Sequence, residues 1–165
     1  IMAEPPDVLR SEDGVHFAPA ARPPWDAAVR SFRTLQLFNG RVHTTPTGSA
    51  KGVNKAAECI GSEATIYAAD DLASGNWVAA SPEGFGNPDN VTVFEMGTFD
   101  GHLYGGTVNM NQGFKLWKAP GGKPPYRWTR VLEKGAYRGP QNELVLSMCE
   151  FKGALYVGSG IVNGG

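Results

Sequence analysis

The sequence predicts an all-β fold built from a repeated unit of short antiparallel strands. Three observations carry this prediction: one turn motif recurs three times, the copies have a nearly constant spacing, and turn-forming residues are abundant. The 165 residues include 22 glycines and 12 prolines, and charged residues make up 19%, below the roughly 25% of typical soluble domains. This composition favours many turns and short strands over long helices.

The turn motif defines a repeated hairpin. Phe38-Asn39-Gly40, Phe99-Asp100-Gly101 and Phe151-Lys152-Gly153 each separate two apolar segments, and their glycines are 61 and 52 residues apart. Asn-Gly and Asp-Gly favour two-residue hairpin turns because both central positions need a positive φ. We therefore expect the first strands of the second and third copies at residues 91–99 and 143–151.

The first two copies each continue with two further strand-like segments. Residues 64–68 correspond to residues 114–118, and Trp77 corresponds to Trp128. Four short strands at a period near 50 residues are typical of the blades of a β-propeller. We expect both tryptophans to be largely buried in outer strands. The alternative is a different all-β meander, a sandwich or a barrel.

The second copy also shows the order of residues found in a known repeat family. A glycine pair, an aromatic residue and a tryptophan follow one another at Gly105-Gly106, Trp117 and Trp128. Over roughly residues 29–165 the sequence resembles kelch-like β-propeller repeat proteins. It departs from them where Thr44-Thr45 replace the glycines of the first copy, and where only Gly158 remains in the third. The resemblance implies a ring of four-stranded blades.

The repeats divide the chain into four parts. Residues 1–28 are proline-rich and are expected to form an extended N-terminal arm, followed by blade one (29–89), blade two (90–141) and half of blade three (142–165). About two and a half blades do not close a ring, because propellers typically have 4–8. A half blade would also leave a strand edge unpaired. We therefore expect a second polypeptide, most simply the remainder of the same precursor, to complete the propeller.

Charge and apolar runs bear on the class of partner. The net charge of −1 gives no electrostatic reason to expect binding to nucleic acid, and no apolar run approaches a membrane span. The start at Ile1 is typical of a processed N terminus and slightly favours an exported or periplasmic protein. Cys59 and Cys149 allow either one bridge or two thiols. No motif identifies a cofactor.

A propeller gathers its candidate binding residues on one face, where the loops before first strands meet the loops after second strands. We expect this channel-mouth face to include residues 44–63, 86–90, 108–112, 140–143 and 161–165. The long segment 44–63 is either a binding loop or a cover. The candidate ligand-binding residues are polar side chains on or near this face: Arg30, His43, Asn90, Asn109, Asn142, Glu143 and Asn163.

Each candidate has a functional and a local interpretation. Arg30 and Glu143 could hold a polar ligand by charge-assisted hydrogen bonds, or could only be solvated. Asn90 and Asn142 stand at equivalent positions and could instead bond their own turns. His43 replaces the tyrosine of the other two copies, so it is either a ligand or base, or a buried and hydrogen-bonded histidine.

Two functions follow from these patterns. The first is a propeller subunit that binds a small polar ligand, a peptide or a protein partner at the channel mouth. The second is an enzyme matured by cleavage after Gly165, with an active site shared with the second chain. No phosphate loop, nucleophile elbow or zinc-protease motif occurs in the sequence. The fold alone does not choose between the two.

Overall fold

The computed structural model describes residues 8–20, 31–47 and 63–161, and within them the chain is an all-β fold. The strands are β1 Leu9–Arg10, β2 Ala18–Pro19, β3 Ser31–Phe38, β4 Arg41–Thr47, β5 Tyr67–Ala69, β6 Val78–Ala79, β7 Thr92–Phe99, β8 His102–Val108, β9 Leu116–Pro120, β10 Thr129–Leu132, β11 Leu144–Phe151 and β12 Ala154–Gly160. Short helical turns span Glu83–Gly86, Lys134–Tyr137 and Gly139–Gln141.

The three predicted hairpins are confirmed. In β3–β4, β7–β8 and β11–β12 the first strand has eight residues and the second has seven. Both central turn residues have positive φ in every copy: 51° and 74° at Asn39-Gly40, 46° and 67° at Asp100-Gly101, and 50° and 73° at Lys152-Gly153. Two consecutive turn residues with a positive φ match the twist of the flanking strands, and this requirement explains why glycine recurs at the second position.

A pairing irregularity recurs inside these hairpins. The register shifts between Val93 and Glu95 in β7 and between Val145 and Ser147 in β11, at the same place in the repeat. In β3 the shift is wider, between Arg33 and Gln36, and it contains Thr34 at φ 44°. A bulge bends its strand and increases the local twist, so the first strands are curved in a similar way.

The first two copies each contain four consecutive antiparallel strands. The order β3-β4-β5-β6 forms one sheet, and β7-β8-β9-β10 forms the larger part of another. The hairpin β11–β12 joins the second sheet where Leu144 pairs with Val108. Within each of the first two repeats the strand order is that of a meander, in which each strand pairs with the next along the chain.

The third strands begin later than the sequence predicts. β5 starts at Tyr67 and β9 at Leu116, whereas the expected segments began at residues 64 and 114. The reason lies in the backbone, because the carbonyl of Ala64 accepts from Gly84 N and that of Phe114 accepts from Gly135 N. These carbonyls hold the turns before the next hairpin instead of extending a strand ladder.

The predicted segment 44–63 is corrected at its start. Residues 44–47 belong to strand β4 and are buried, and residues 48–62 lie outside the described residues. The strand continues because it packs on the next repeat: Thr45 Oγ1 donates to Val93 O at 2.8 Å, and Thr92 Oγ1 donates to Pro46 O at 3.3 Å.

Successive hairpins pack closely because small residues face the neighbouring repeat. A Cβ added at Gly106 would lie 2.5 Å from Val145 Cβ, and one added at Gly105 would lie 3.1 Å from Ile66 Cδ1. The distance at Gly106 leaves no room for a side chain, whereas a Cβ at Gly105 would require Ile66 to shift by a few tenths of an ångström. The glycine pair of the second repeat is therefore a packing feature, with Ile66 of the first repeat on one side and Val145 of the third on the other.

The two tryptophans each stand one residue before a fourth strand. Trp77 is buried, and Trp128 is half-buried against the core cluster that includes Ile66, Val93 and Leu103. Trp128 Nε1 donates to Ala80 O at 2.9 Å, so it links the second repeat to the first. The burial prediction is thus confirmed for Trp77 and holds in part for Trp128.

The described part of the predicted arm is a short hairpin. β1 and β2 pair antiparallel, with Leu9 opposite Pro19. Asp13 holds the turn by accepting from the backbone N–H of Val15 and His16 and by pairing with the His16 ring at 2.6 Å. The His16 side chain, together with these backbone donors, lowers the pKa of the Asp13 carboxyl.

Candidate functional site

One end of the fold collects polar loop residues from all three repeats. We call residues 86–90, 108–112 and 140–143 the polar end. Backbone hydrogen bonds join its segments, since Asn109 N donates to Glu143 O at 2.8 Å and Val91 N donates to Val108 O at 3.0 Å. The structure therefore brings together three of the five segments that the repeat alignment placed on one face.

Two left-handed turns shape the polar end. Gly84 and Phe85 have φ of 55° and 51°, and Gly135 and Ala136 have φ of 57° and 54°. The N–H of each turn glycine donates to a carbonyl at the start of the third-strand segment. The N···O distance is 2.9 Å from Gly84 to Ala64 and 3.0 Å from Gly135 to Phe114. Left-handed backbone is costly for residues with a side chain, so each turn needs additional support.

Asn90 and Asn142 supply that support. Asn90 Nδ2 donates to Gly84 O at 2.8 Å, and Asn142 Nδ2 donates to Gly135 O at 3.1 Å. The two amides therefore make the same bond in successive repeats. These bonds are the ones expected if each asparagine stabilises the turn before its own strand rather than binding a ligand.

Asn109 completes a buried amide pair with Asn90. Its Nδ2 donates to Asn90 Oδ1 at 2.8 Å, and its Oδ1 accepts from Gln112 N at 2.8 Å. Both asparagines are buried. Leaving a buried polar group without its partner costs roughly 1–3 kcal/mol, so this pair fixes the loop after β8 against the loop before β7.

A second set of side chains extends the network toward solvent. Gln112 Nε2 donates to Asp89 Oδ2 at 2.7 Å, while Gln112 Oε1 accepts from Asn87 at 3.1 Å and from Lys115 Nζ at 2.8 Å. Asn111 Nδ2 donates to the other Asp89 oxygen at 3.1 Å. The sequence analysis did not single out these side chains, although the density of Asn, Asp and Gln in residues 87–90 and 109–112 was a usable signal.

Lys115 is the buried charge of this network. Burial lowers the pKa of its ammonium, the positive charge of Arg130 lowers it further, and Asp89 and Glu133 act in the opposite direction. Its side chain is buried among polar partners that include the Gln112 carbonyl. Lys115 therefore fixes the Gln112 side chain through this hydrogen bond. Its position between the apolar residues Phe114 and Leu116 gave no sequence signal for this role.

A cavity of about 580 Å³ borders the polar end. Residues on its wall include Ala64, Glu83, Gly84, Asn87, Asn90 and Val91. The exposed Glu83 carboxylate can accept hydrogen bonds, and the Asn87 amide can both donate and accept. The cavity therefore suits a small polar molecule that carries hydrogen-bond donors.

His43 lies in strand β4, outside the polar end. Its Nε2 is 2.9 Å from Tyr126 Oη and its Nδ1 is 3.3 Å from Gln36 O. The ring is fully buried, and this burial lowers the pKa of the imidazole. This is the geometry of the buried-histidine interpretation.

The remaining candidates divide between described and undescribed residues. Glu143 contributes its backbone, which joins Asn109 and Gly160, and its side chain is half-buried. Arg30 and Asn163 lie outside the described residues, so a ligand held between Arg30 and Glu143 stays a prediction. Cys149 is a free, exposed thiol on β11, and Cys59 lies outside the described residues.

No protein-family model, curated protein or solved structure matches the chain. Within residues 8–20, 31–47 and 63–161, no three His, Cys, Asp or Glu side chains form a group that could hold a metal ion. The same residues contain no helix that is long and apolar enough to cross a membrane.

Proposed function

We propose that this chain is part of a kelch-like β-propeller and that it binds a small polar ligand, a peptide or a protein partner at the polar end. The observation that carries the proposal is the convergence of loops from the three repeats on that end, where a hydrogen-bonded network borders the cavity of about 580 Å³. Concave sites with a few well-placed polar groups are the usual place for small ligands.

The propeller part is supported by the similarity of successive repeats. Position 45 of the first repeat and position 106 of the second both pack on the following repeat, through Thr45 against Val93 and Gly106 against Val145. Contacts at equivalent positions are expected between the blades of a ring, and the second and third repeats are also joined by strand pairing at Leu144 and Val108. In a crystal structure of the chain, one rotation axis should relate β3–β4 to β7–β8 and β7–β8 to β11–β12. Two unrelated axes would contradict the propeller.

The binding part is supported by rigidity. The buried Asn90–Asn109 pair and the buried Lys115 fix the loops from beneath, while Glu83 and Asn87 remain at the cavity wall. A site whose loops are already ordered pays less entropy when it binds a ligand. Recognition would come from the Glu83 carboxylate and the Asn87 amide. The proposed cleaved enzyme would include residues near Gly165, outside the described residues, and stays a prediction.

Amide chemical shifts of the ¹⁵N-labelled chain test the binding part. We would titrate it with a panel of monosaccharides, amino acids and dipeptides, and we expect at least one probe to shift residues 83–91 and 108–112 in a saturable way. Glu83→Gln should weaken the binding of that probe. Glu150→Gln, which changes an exposed carboxylate on β11, should leave its affinity unchanged. A panel that shifts no residue of the polar end would contradict the proposal.

A further inference from the structure

The second strand of each of the first two hairpins is covered by a third strand in the same register. In the first repeat Val42 pairs with Ala69 and Thr44 with Tyr67. In the second repeat Leu103 pairs with Ala119 and Gly105 with Trp117. The covering strands therefore share a pattern: an aromatic residue, any residue, then alanine.

The residue before each aromatic extends this pattern. Ile66 and Leu116 are branched, apolar and buried, and Ala69 and Ala119 are buried as well. The small alanine lies opposite a large apolar residue of the hairpin, and the branched residue fills the core beside the aromatic. Each covering strand thus reads branched apolar, aromatic, any residue, alanine.

Within the described ranges, strand β12 has no such cover. Among the described residues it pairs with β11 alone. Tyr156 is 57% exposed, whereas Tyr104 at the same position of β8 is 9% exposed. The difference follows from what packs on that face of each hairpin: Gly97, which pairs with Tyr104, faces Met148 of the third repeat, and no described repeat lies on the equivalent face of the third hairpin. Beside β8 lies β9, whereas no described strand lies along the outer edge of β12.

A second position shows the same contrast between repeats. Ala80 is fully buried, and its carbonyl accepts from Tyr126 N and from Trp128 Nε1 of the following repeat. Val131 is the equivalent residue of the second repeat and is 36% exposed. The residue that would reach Val131 as Trp128 reaches Ala80 belongs to the start of a fourth strand, which follows the covering strand along the chain.

We propose that the edge of β12 is the docking site for a polypeptide segment with the pattern branched apolar, aromatic, any residue, alanine. The segment runs antiparallel to β12, with its alanine opposite Leu155 and its aromatic residue opposite Val157. This rests on the proposed propeller, and it specifies the partner that would continue the third repeat. Main-chain hydrogen bonds would supply affinity, and the alternate side chains would supply selectivity.

A second copy of this chain does not fit that description. The two segments with the pattern, at residues 66–69 and 116–119, are already buried in their own sheets. A folded copy would have to unfold a repeat to offer either of them. We therefore commit to a separate segment as the occupant, and pairing between two copies becomes an outcome of the test.

The test uses a peptide with the sequence of residues 113–121, which contains the pattern, and the full 165-residue chain labelled with ¹⁵N. We expect saturable shifts at residues 154–158 below about 1 mM peptide. At ten times the dissociation constant, exchange of the covered amides should slow about tenfold, because about one eleventh of the chain is then free. The control peptide carries aspartate at the positions of Trp117 and Ala119 and should not bind.

Protein variants show whether the peptide uses this edge. Tyr156→Lys should weaken peptide binding about tenfold, since lysine on an edge strand opposes further pairing. Tyr137→Lys, which changes a tyrosine that is 73% exposed elsewhere, should leave the affinity unchanged. Equal affinity of the two variants would overturn the proposal.

Three further results would overturn it. They are the absence of saturable binding, binding that maps to β8 instead of β12, and dimerisation of the chain with β12 protected before any peptide is added. The perturbed residues, 154–158, differ from those expected for ligand binding at the polar end. A failure at one surface is therefore distinguishable from a failure at the other.

Discussion

The second and third hairpins have the same strand lengths, the same turn and the same pairing irregularity, yet they differ sharply in burial. Leu103 is fully buried in β8, whereas Leu155 at the same position of β12 is half-buried. Most of β11 after Val145 is exposed as well. The comparison teaches that local sequence is sufficient to form the hairpin, while burial of its apolar residues depends on the strands beside it.

The largest effect is expected where the second repeat meets the first. Trp128→Ala should lower the free energy of unfolding by about 3–5 kcal/mol, because it removes a large ring from the core and the bond to Ala80 O. Urea denaturation measures this loss. Tyr137→Ala is the control, since this exposed ring should change stability by no more than about 0.5 kcal/mol. A loss below about 1 kcal/mol for Trp128→Ala would show that the ring does not tie the repeats together.

The paired tyrosines sharpen the comparison. Tyr104→Ala should lower the free energy of unfolding by about 3 kcal/mol, because the ring is 9% exposed and its loss leaves a cavity. Tyr156→Ala should lower the free energy of unfolding of the chain alone by less than about 1 kcal/mol. The same urea melts measure both variants. Equal losses would mean that β12 is covered as well as β8 is.

The paired glycines test the contact between repeats. Gly106→Ala should destabilise the chain by about 1–3 kcal/mol, because the new Cβ would overlap the Val145 side chain of the next repeat. At Gly158 the nearest atom to a new Cβ is Ser147 Oγ, which can rotate away, so Gly158→Ala should cost less. Thermal melts of the two variants compare them, and a reversed order would refute the packing role of the glycine pair.

The smallest effect is a pH dependence at position 43, where the first repeat has His and the other two have Tyr. Burial lowers the folded-state pKa of His43, so the unfolded chain takes up a proton first as the pH falls. The stability contributed by neutral His43 is fully present above its unfolded pKa of about 6.5, and it is lost progressively as the pH falls from there through the lower folded pKa.

The variant His43→Tyr isolates this titration. Urea melts between pH 7.5 and pH 5 (about two and a half units around the unfolded pKa) should show a steeper loss of stability in the unchanged chain than in the variant. The other titrating groups, Asp13 included, are common to both proteins and cancel in the difference. Parallel curves would mean that His43 has the same pKa in the folded and unfolded chains.

The sequence predicted the hairpins well because turn chemistry is local. Asn39-Gly40 and Asp100-Gly101 need a left-handed pair, and this requirement can be seen in two residues. The start of β9 could not be predicted, because the Phe114 carbonyl accepts a hydrogen bond from Gly135, in a turn 21 residues further along the chain. Lys115 was missed for a related reason: its burial results from packing between loops, which no periodicity in the sequence shows.

Amide hydrogen exchange of the chain on its own tests the central claim most directly, that β8 and β12 are copies of one strand and differ only in what covers them. Exchange rates would be measured by NMR at equivalent residues, 102–108 against 154–160. We expect β8 to be protected along its whole length, because it pairs on both sides, and β12 to alternate between slow amides facing β11 and fast amides facing the open edge. Equal protection along both strands would contradict the account.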